Sequence, residues 1–112
     1  MRKAIILFKN EDAGVLTQLE DGSFSFCYNN EWIINNHRPS ISLTLPKTTK
    51  EFHSKHLFSF FYNMLPEGSN KLAVCKLNRI DEQDDFGILL TTAKMDNIGA
   101  VRVIKIENDE VS

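Results

Sequence analysis

Two short motifs in the last third of the sequence have the residue types of a phosphoryl-transfer site. The tripeptide Asp85-Phe86-Gly87 matches the magnesium-binding motif of protein kinases, and Ala73-Val74-Cys75-Lys76 resembles the motif of the lysine that pairs with ATP phosphates. A carboxylate and an amine in these roles would hold Mg²⁺ and the nucleotide during phosphoryl transfer. The chemistry that these letters suggest is therefore that of a kinase.

The rest of the sequence lacks the other parts of a kinase. It contains no G-x-G-x-x-G loop and no H-R-D sequence. Lys76 and Asp85 are nine positions apart, which leaves no room between them for the helix and the catalytic loop of a kinase. Lys76 lies in a helical pattern, although the kinase lysine stands on a strand, and Asp85 has the position of a helix cap. We therefore predict that neither motif binds a nucleotide.

Other catalytic and metal-binding patterns are incomplete. His53 and His56 form H-x-x-H, but no third histidine or cysteine stands close to them, and structural zinc takes four ligands. The sequence has no G-x-S-x-G elbow, and Cys27 and Cys75 lie in no nucleophile motif. A helix N-terminus at Gly68–Asn70 could bind an anion weakly. We expect no catalytic residue, no metal and no cofactor, and we expect both cysteines to be buried thiols.

The composition is that of one ordinary globular domain. The chain has 112 residues, of which 42% are hydrophobic and 25% charged, and a formal net charge of −2. That charge gives no electrostatic reason for direct binding to nucleic acid. The apolar run Ala4–Phe8 is too short for a signal peptide, and no apolar stretch could span a bilayer. We expect a cytoplasmic domain over residues 1–106, followed by a frayed tail, 107–112.

Alternation of apolar and polar residues predicts five β-strands. Phe24, Phe26 and Tyr28 give the clearest example, and a hairpin-forming Asp-Gly pair stands just before them. We predict a short edge strand or a loop at Asn29–Ser40 and a polar connector at Lys47–Lys55. The predicted strands are Lys3–Lys9, Val15–Leu19, Phe24–Tyr28, Ile41–Leu45 and Val101–Ile106, with turns at Asn10–Gly14, Glu20–Ser23 and Asp96–Gly99.

After the polar connector the apolar period changes to that of helices. One helix is ended by Pro66, a second starts at Gly68 or Ser69, and a third has Asp84 or Asp85 as its N-cap. This order predicts an α+β fold: an antiparallel sheet of hairpins, able to close into a barrel-like form, packs against about three helices. The residues expected to be buried are Leu57, Phe61, Met64 and Leu65 in the first helix, Leu72, Cys75 and Ile80 in the second, and Phe86, Leu89, Leu90 and Ala93 in the third.

The aromatic segment before Pro66 carries more apolar surface than a small core can bury. Phe58, Phe60, Phe61 and Tyr62 are nearly consecutive, so they cannot all lie on one helical face. An excess apolar face on a small domain indicates a surface for a partner protein. These aromatics could also form a stacking platform for nucleic acid, but their helical spacing favours a core.

Three blocks of residues together resemble a known family. They are the SLTLP block of Ser42–Pro46, the FF-x-x-x-LPEG block of Phe60–Gly68, and the D-x-F…LL…D-x-x-GA block of Asp84–Ala100. Their order and spacing are similar to those in the N-terminal subdomain of the HipA family of serine/threonine kinase toxins, over nearly the whole chain. The family usually has a glycine before the D-x-x-GA motif that ends the last block, and this sequence has Lys94-Met95 there instead.

The resemblance implies a function without catalysis. In full-length HipA proteins this subdomain precedes a kinase body, and this sequence contains no such body, so the resemblance implies no ATP binding and no phosphoryl transfer. A separate copy of the subdomain resembles the HipS antitoxins of HipB–HipS–HipT systems, whose kinase HipT lacks it. We therefore expect an antitoxin that binds and neutralises a HipT-like kinase in trans, with a HipB-like DNA-binding protein as a further member of the complex.

The expected contact residues lie at the junction of the first two helices. Trp32 is a second candidate anchor because tryptophan is enriched at binding hot spots, although burial in the core explains it equally well. Three other functions stay open from sequence alone: an accessory subunit that completes the kinase, a small enzyme with an unrecognised site, and direct DNA binding. The residues predicted to reach the kinase are Leu65, Pro66, Glu67, Gly68, Ser69 and Asn70, with Phe58 and Tyr62 beside them.

Overall fold

The computed structural model describes residues 1–95 and 101–106 as a sheet with helices packed on it. The predicted α+β class is confirmed. Three predictions fall outside the described side chains and backbone: the burial of Ala93, the turn Asp96–Gly99 and the tail 107–112. In chain order the elements are β1 (Arg2–Phe8), β2 (Glu11–Gln18), β3 (Phe24–Tyr28), α1 (Asn30–Ile34), β4 (Glu51–Ser54), α2 (Ser59–Tyr62), α3 (Gly68–Asn78), α4 (Asp85–Met95) and β5 (Val101–Lys105).

The sheet is antiparallel throughout and has the strand order β4-β3-β2-β1-β5. The last strand of the chain returns to pair with the first, so β2 lies at the centre between β3 and β1, and β4 and β5 form the two edges. The sheet does not close, so the predicted option of a barrel-like form is wrong. Its core face is lined by side chains such as Ile6, Leu16 and Phe26, each with no exposed surface.

The hairpin between β1 and β2 is tighter than the sequence suggested. Its turn consists of Lys9 and Asn10, with φ angles of 51° and 68°, the left-handed pair that matches the twist of a hairpin. The predicted turn Asn10–Gly14 is therefore too long, because Glu11–Gly14 belongs to β2. The next hairpin confirms the predicted turn at Glu20–Ser23, where Gly22 has a φ angle of +89°.

The fourth strand does not lie where alternation placed it. Ile41–Leu45 forms a tight turn in which Ser42 bridges Leu45, so the predicted strand there is wrong. The alternation arises because Ile41 and Leu45 anchor the turn in the core while Leu43 points into solvent. The observed strand β4 lies in the stretch predicted as a polar connector, at the edge of the sheet, where polar side chains facing water carry no apolar signature.

Two helices also differ from their predictions. The segment that was predicted as an edge strand or a loop contains the short helix α1, which buries Trp32. The first predicted helix is reduced to the single turn of α2, continued by isolated turns as far as Leu65. In α3, the helix begins at Gly68 as predicted and buries Cys75, but Leu72 remains half exposed.

The kinase-like tripeptide is the first turn of α4, as predicted. The carboxylate of Asp84 caps this helix by accepting the backbone N–H of Gly87 at 3.1 Å. Glycine permits this approach, because a Cβ at position 87 would lie 2.3 Å from that carboxylate. Phe86 has no exposed surface and meets Phe24 edge-on, with ring centroids 6.2 Å apart. Leu89 and Leu90 are buried as predicted, and so is Ile88, which the helical pattern did not include.

Asp84 also ties the start of α4 to β1. The guanidinium of Arg2 donates to both Asp84 oxygens, at 2.6 and 3.1 Å, and its carbon lies 5.2 Å from the Phe86 ring centroid. The hydrogen bond from Arg2 is the largest reason why the pKa of Asp84 lies below its ordinary value of 3.8, and the bond from Gly87 acts in the same direction. The ionised carboxylate therefore supports the fold.

The Arg2–Asp84 pair predicts a pH-dependent difference in stability. A carboxyl whose pKa is lowered by folding contributes stability above its unfolded pKa, and this contribution is lost as the pH falls through the folded pKa. We expect Arg2→Ala to melt at a lower temperature than wild type at neutral pH, and the difference to shrink progressively below pH 3.8. Thermal unfolding followed by circular dichroism measures both. A difference that stays constant into acid would show that Arg2 acts through groups other than the Asp84 carboxylate, namely its hydrogen bond to Gln18 and its packing on Phe86.

Candidate partner-docking site

A surface pocket lies where α2 passes into α3. Its volume is about 520 Å³, and its lining includes part of the segment that the sequence predicted to reach a partner. Ordinary ligand pockets have similar volumes, but this one is open to solvent. It is lined by Tyr62, Asn63, Leu65, Pro66, Glu67, Gly68 and Lys71.

The local sequence explains why the chain bends here. The carbonyl of Phe58 accepts the N–H groups of Phe61 and Tyr62, and further turns carry the chain to Leu65. Pro66 then prevents continuation, because proline disfavours helical backbone in the residue before it. Gly68 opens α3 with a φ angle of +57°, which lies in the left-handed region that side chains avoid. The bend that shapes the pocket is thus built from a proline and a glycine.

Gly68 offers a direct test of that backbone geometry. A Cβ at this position would meet no atom within 4 Å, so Gly68→Ala introduces backbone strain without a steric clash. We expect it to lower the free energy of unfolding by about 1 kcal/mol, measured by urea denaturation. Ser69→Ala, one position later on the exposed first turn of α3, serves as the control and should change stability little. Equal stability of Gly68→Ala and wild type would contradict the left-handed conformation.

The aromatic surplus expected from the sequence is present but smaller than predicted. Phe61 has no exposed surface, and Phe58 and Phe60 are half-buried against the core. Tyr62 is 51% exposed and stands at the pocket wall, next to the partly exposed Met64. The exposed apolar surface at this place therefore comes mainly from Tyr62.

The structure brings together only part of the predicted contact set. Tyr62 and the segment Leu65–Gly68 share the pocket, while Ser69 and Asn70 stand exposed on the first turn of α3 beside it. Leu65 is 9% exposed, so most of its side chain packs the helix junction. Sequence reasoning missed Asn63 and Lys71, and the only available signal for Lys71 was its position one helical turn after Glu67.

Trp32 lies outside this pocket and is a core residue in the described structure. It is 4% exposed, and its indole nitrogen donates to the carbonyl of Pro39 at 2.8 Å. Phe8 meets it edge-on, with ring centroids 5.9 Å apart, and the Arg38 guanidinium carbon lies 5.3 Å from its ring centroid. These contacts account for Trp32 by packing, and a docking role for it stays a prediction.

The remaining candidates do not converge on a reactive centre. His53 stands on the edge strand β4 with its Nε2 atom 3.3 Å from Glu51, while His56 follows the strand. Among the described residues, no three His, Cys, Asp or Glu side chains are grouped closely enough to hold a metal ion. None of the described helices is long and apolar enough to cross a membrane.

Comparison with known proteins agrees with the fold over almost the entire domain. The family model of the HipA N-terminal domain matches residues 4–104. A solved structure of the N-terminal domain of HipA toxin superimposes with a TM-score of 0.71 at 31% identity and covers 97% of this chain and 96% of that one. The similarity therefore extends to sequence as well as to backbone.

Two relatives differ greatly in how much of their length is matched. An uncharacterized protein of Haemophilus influenzae is 32% identical over 103 residues, which are 92% of this chain and 92% of that protein. A Sinorhizobium fredii protein named "Putative kinase Y4mE" is 29% identical over 76 residues, which are 68% of this chain but only 18% of that protein. The domain thus occurs both in a relative of similar size and as a small part of a longer one. This chain belongs to the HipA N-terminal domain family.

Proposed function

We propose that this domain is a non-catalytic antitoxin that binds a HipT-like serine/threonine kinase and holds it inactive. The observation that carries the proposal is the open pocket between α2 and α3, with the half-exposed Tyr62 at its wall, on a domain of the HipA family. An exposed aromatic ring beside a concave surface is a typical anchor for a protein partner.

The relatives support the choice of a kinase as the partner. In the Sinorhizobium fredii protein, whose name contains the word kinase, the matched region is joined to a much longer polypeptide. The Haemophilus influenzae protein is matched over 92% of its own length, so the domain also occurs in a chain with little beside it. We propose that this chain supplies in trans the domain that such longer proteins contain in cis.

Inhibition sets a thermodynamic requirement on this contact. A bound protein shifts the kinase between active and inactive conformations only by the difference of its affinities for the two. The antitoxin must therefore bind the inactive conformation more tightly. A rigid docking element suits this role, because little conformational entropy is lost when it binds. Pro66 contributes to such rigidity in the bend, because its ring fixes its own φ angle.

The test is co-expression of the full chain with a HipT-like kinase encoded beside it. We expect rescue of growth, co-purification of the two proteins and loss of the kinase's autophosphorylation in the purified complex. An inactive kinase variant of unchanged fold serves as the control for toxicity.

Two other outcomes would change the assignment. A stable complex that still phosphorylates its target, without growth rescue, would replace the antitoxin by an accessory subunit that completes the kinase. Absence of any complex would refute both binding functions.

A further inference from the structure

The most exposed large apolar side chain of the described structure lies far along the chain from the pocket residues. Leu43 is 98% exposed at the tip of the turn Ile41–Leu45, hereafter the Leu43 turn. Scattered exposed leucines are ordinary on protein surfaces. This one is unusual because of what holds the turn beneath it.

Both ends of the Leu43 turn are held by a buried side chain of the sheet. The buried hydroxyl of Tyr28 donates to the carbonyl of Leu45 and accepts the backbone N–H of Ile41 at 3.0 Å. Ile41 is 6% and Leu45 2% exposed, so both ends of the turn are anchored in the core. Burial raises the pKa of Tyr28, so its hydroxyl remains a donor at neutral pH.

The tip of the turn is held by its own polar groups. The hydroxyls of Ser42 and Thr44 are 3.0 Å apart, and the backbone N–H of Thr44 donates to the Ser42 hydroxyl at 3.2 Å. The N–H of Leu45 closes the turn on the Ser42 carbonyl at 3.1 Å. Leu43 is therefore presented in one backbone conformation, and burying it in a partner would order little beyond its own side chain.

The residues around the turn have the composition expected at a protein–protein interface. No residue of Pro39–Pro46 is charged, and of the two basic residues that flank it Arg38 pairs with Glu11 while Lys47 donates to backbone carbonyls. Depletion of charge around an apolar projection is typical of the core of a protein–protein interface, whereas nucleic acid and anionic lipid surfaces call for basic residues. This surface therefore fits a protein with an apolar depression better than it fits nucleic acid or an anionic membrane.

A row of aromatic rings connects the base of the turn to the candidate docking pocket. Tyr28 meets Phe26 with ring centroids 4.9 Å apart, and Phe26 meets Phe61 of α2 at 6.0 Å. Phe61 is followed by Tyr62, which lines the pocket. The Leu43 turn and α2 are therefore fixed to the same part of the core, on the helix-covered side of the sheet.

We infer that Leu43 is a second anchor for the kinase, inserted into an apolar depression of that protein while the α2–α3 junction makes the first contact. This inference rests on the proposed function. A contact through two separate elements gives the exposed Leu43 on its rigid turn a role in binding. It also gives the complex a fixed orientation, which one small pocket would not provide.

The experiment measures the affinity of the purified full chain for the purified kinase by calorimetry. We expect Leu43→Ala to weaken binding about tenfold or more, because the variant no longer buries a leucine side chain in the partner, with an unchanged melting temperature because the side chain makes no core contact. Leu77→Ala is the matched control, since Leu77 is 82% exposed on the last turn of α3 and should bind like wild type.

The other outcomes separate this inference from the function on which it rests. Tight binding by wild type and equally tight binding by Leu43→Ala would overturn the inference and leave the antitoxin proposal standing. Failure of wild type to bind the kinase would overturn both. A wild type that is dimeric by light scattering, with a monomeric Leu43→Ala variant, would make the partner a second copy of this chain and overturn the kinase assignment.

Discussion

Replacing Trp32 with alanine is expected to lower the free energy of unfolding by about 3–5 kcal/mol, the usual cost of deleting a large aromatic side chain from a core. The indole is 4% exposed, so its removal would leave a cavity beside Phe8. The Pro39 carbonyl would also lose its hydrogen-bond donor. The whole domain is expected to have only about 5–15 kcal/mol of stability, so the variant should be marginally folded. Urea denaturation followed by circular dichroism measures the change.

Trp32→Phe keeps this prediction testable if the alanine variant does not fold. It retains an aromatic ring beside Phe8 but loses the hydrogen bond to Pro39, so we expect a smaller loss of about 1–2 kcal/mol. Near-native stability of both variants, together with weakened kinase binding, would contradict the core role and establish Trp32 as the docking anchor that the sequence left open.

Replacing Tyr62 with alanine is expected to weaken kinase binding about 30-fold, the equivalent of about 2 kcal/mol for a hot-spot aromatic. The side chain is 51% exposed at the pocket wall, so the complex can bury it while the free domain depends on it little. Stability should therefore fall by no more than about 0.5 kcal/mol, as for surface substitutions generally. Calorimetric titration of the kinase and urea denaturation of the free domain separate the two effects.

The matched control for Tyr62→Ala is Leu77→Ala, an exposed apolar residue outside the pocket. Tyr62→Phe is a second control, because it keeps the ring and removes only the hydroxyl. We expect both to bind within about twofold of wild type, within the ±0.5 kcal/mol typical of surface changes. Binding of Tyr62→Ala at wild-type strength would move the contact away from the α2–α3 junction.

The tripeptide Asp85-Phe86-Gly87 shows that a motif match without its structural context can suggest the wrong function. The same three residues that hold Mg²⁺ in a kinase here begin a helix, with Phe86 in the core and Gly87 giving room to the cap of Asp84. The distinction was accessible from sequence, because the helical spacing of Phe86, Leu89 and Leu90 identifies a buried helix face. Motif matching without this period would have assigned a nucleotide site.

Local patterns determined the parts of the fold that depend on neighbouring residues. The alternation in β3, the Asp-Gly turn before it, the start of α3 after Pro66 and the N-cap of α4 were all predicted correctly, because each depends on backbone preferences within a few positions. The order of strands and helices predicted the α+β class, and the predicted contact segment Leu65–Gly68 lines a surface pocket.

Only the tertiary structure decided where ambiguous segments lie. Ile41–Leu45 alternates like a strand yet forms a turn, because the Tyr28 hydroxyl binds its two ends from across the core. The polar sequence of Glu51–Ser54 predicted a connector, but this segment pairs with β3. An edge strand needs apolar residues on one side at most, so its sequence can lack the pattern that identifies a strand. The exposure of Leu43 and of Tyr62 likewise depends on contacts between residues distant in sequence, which no local pattern contains.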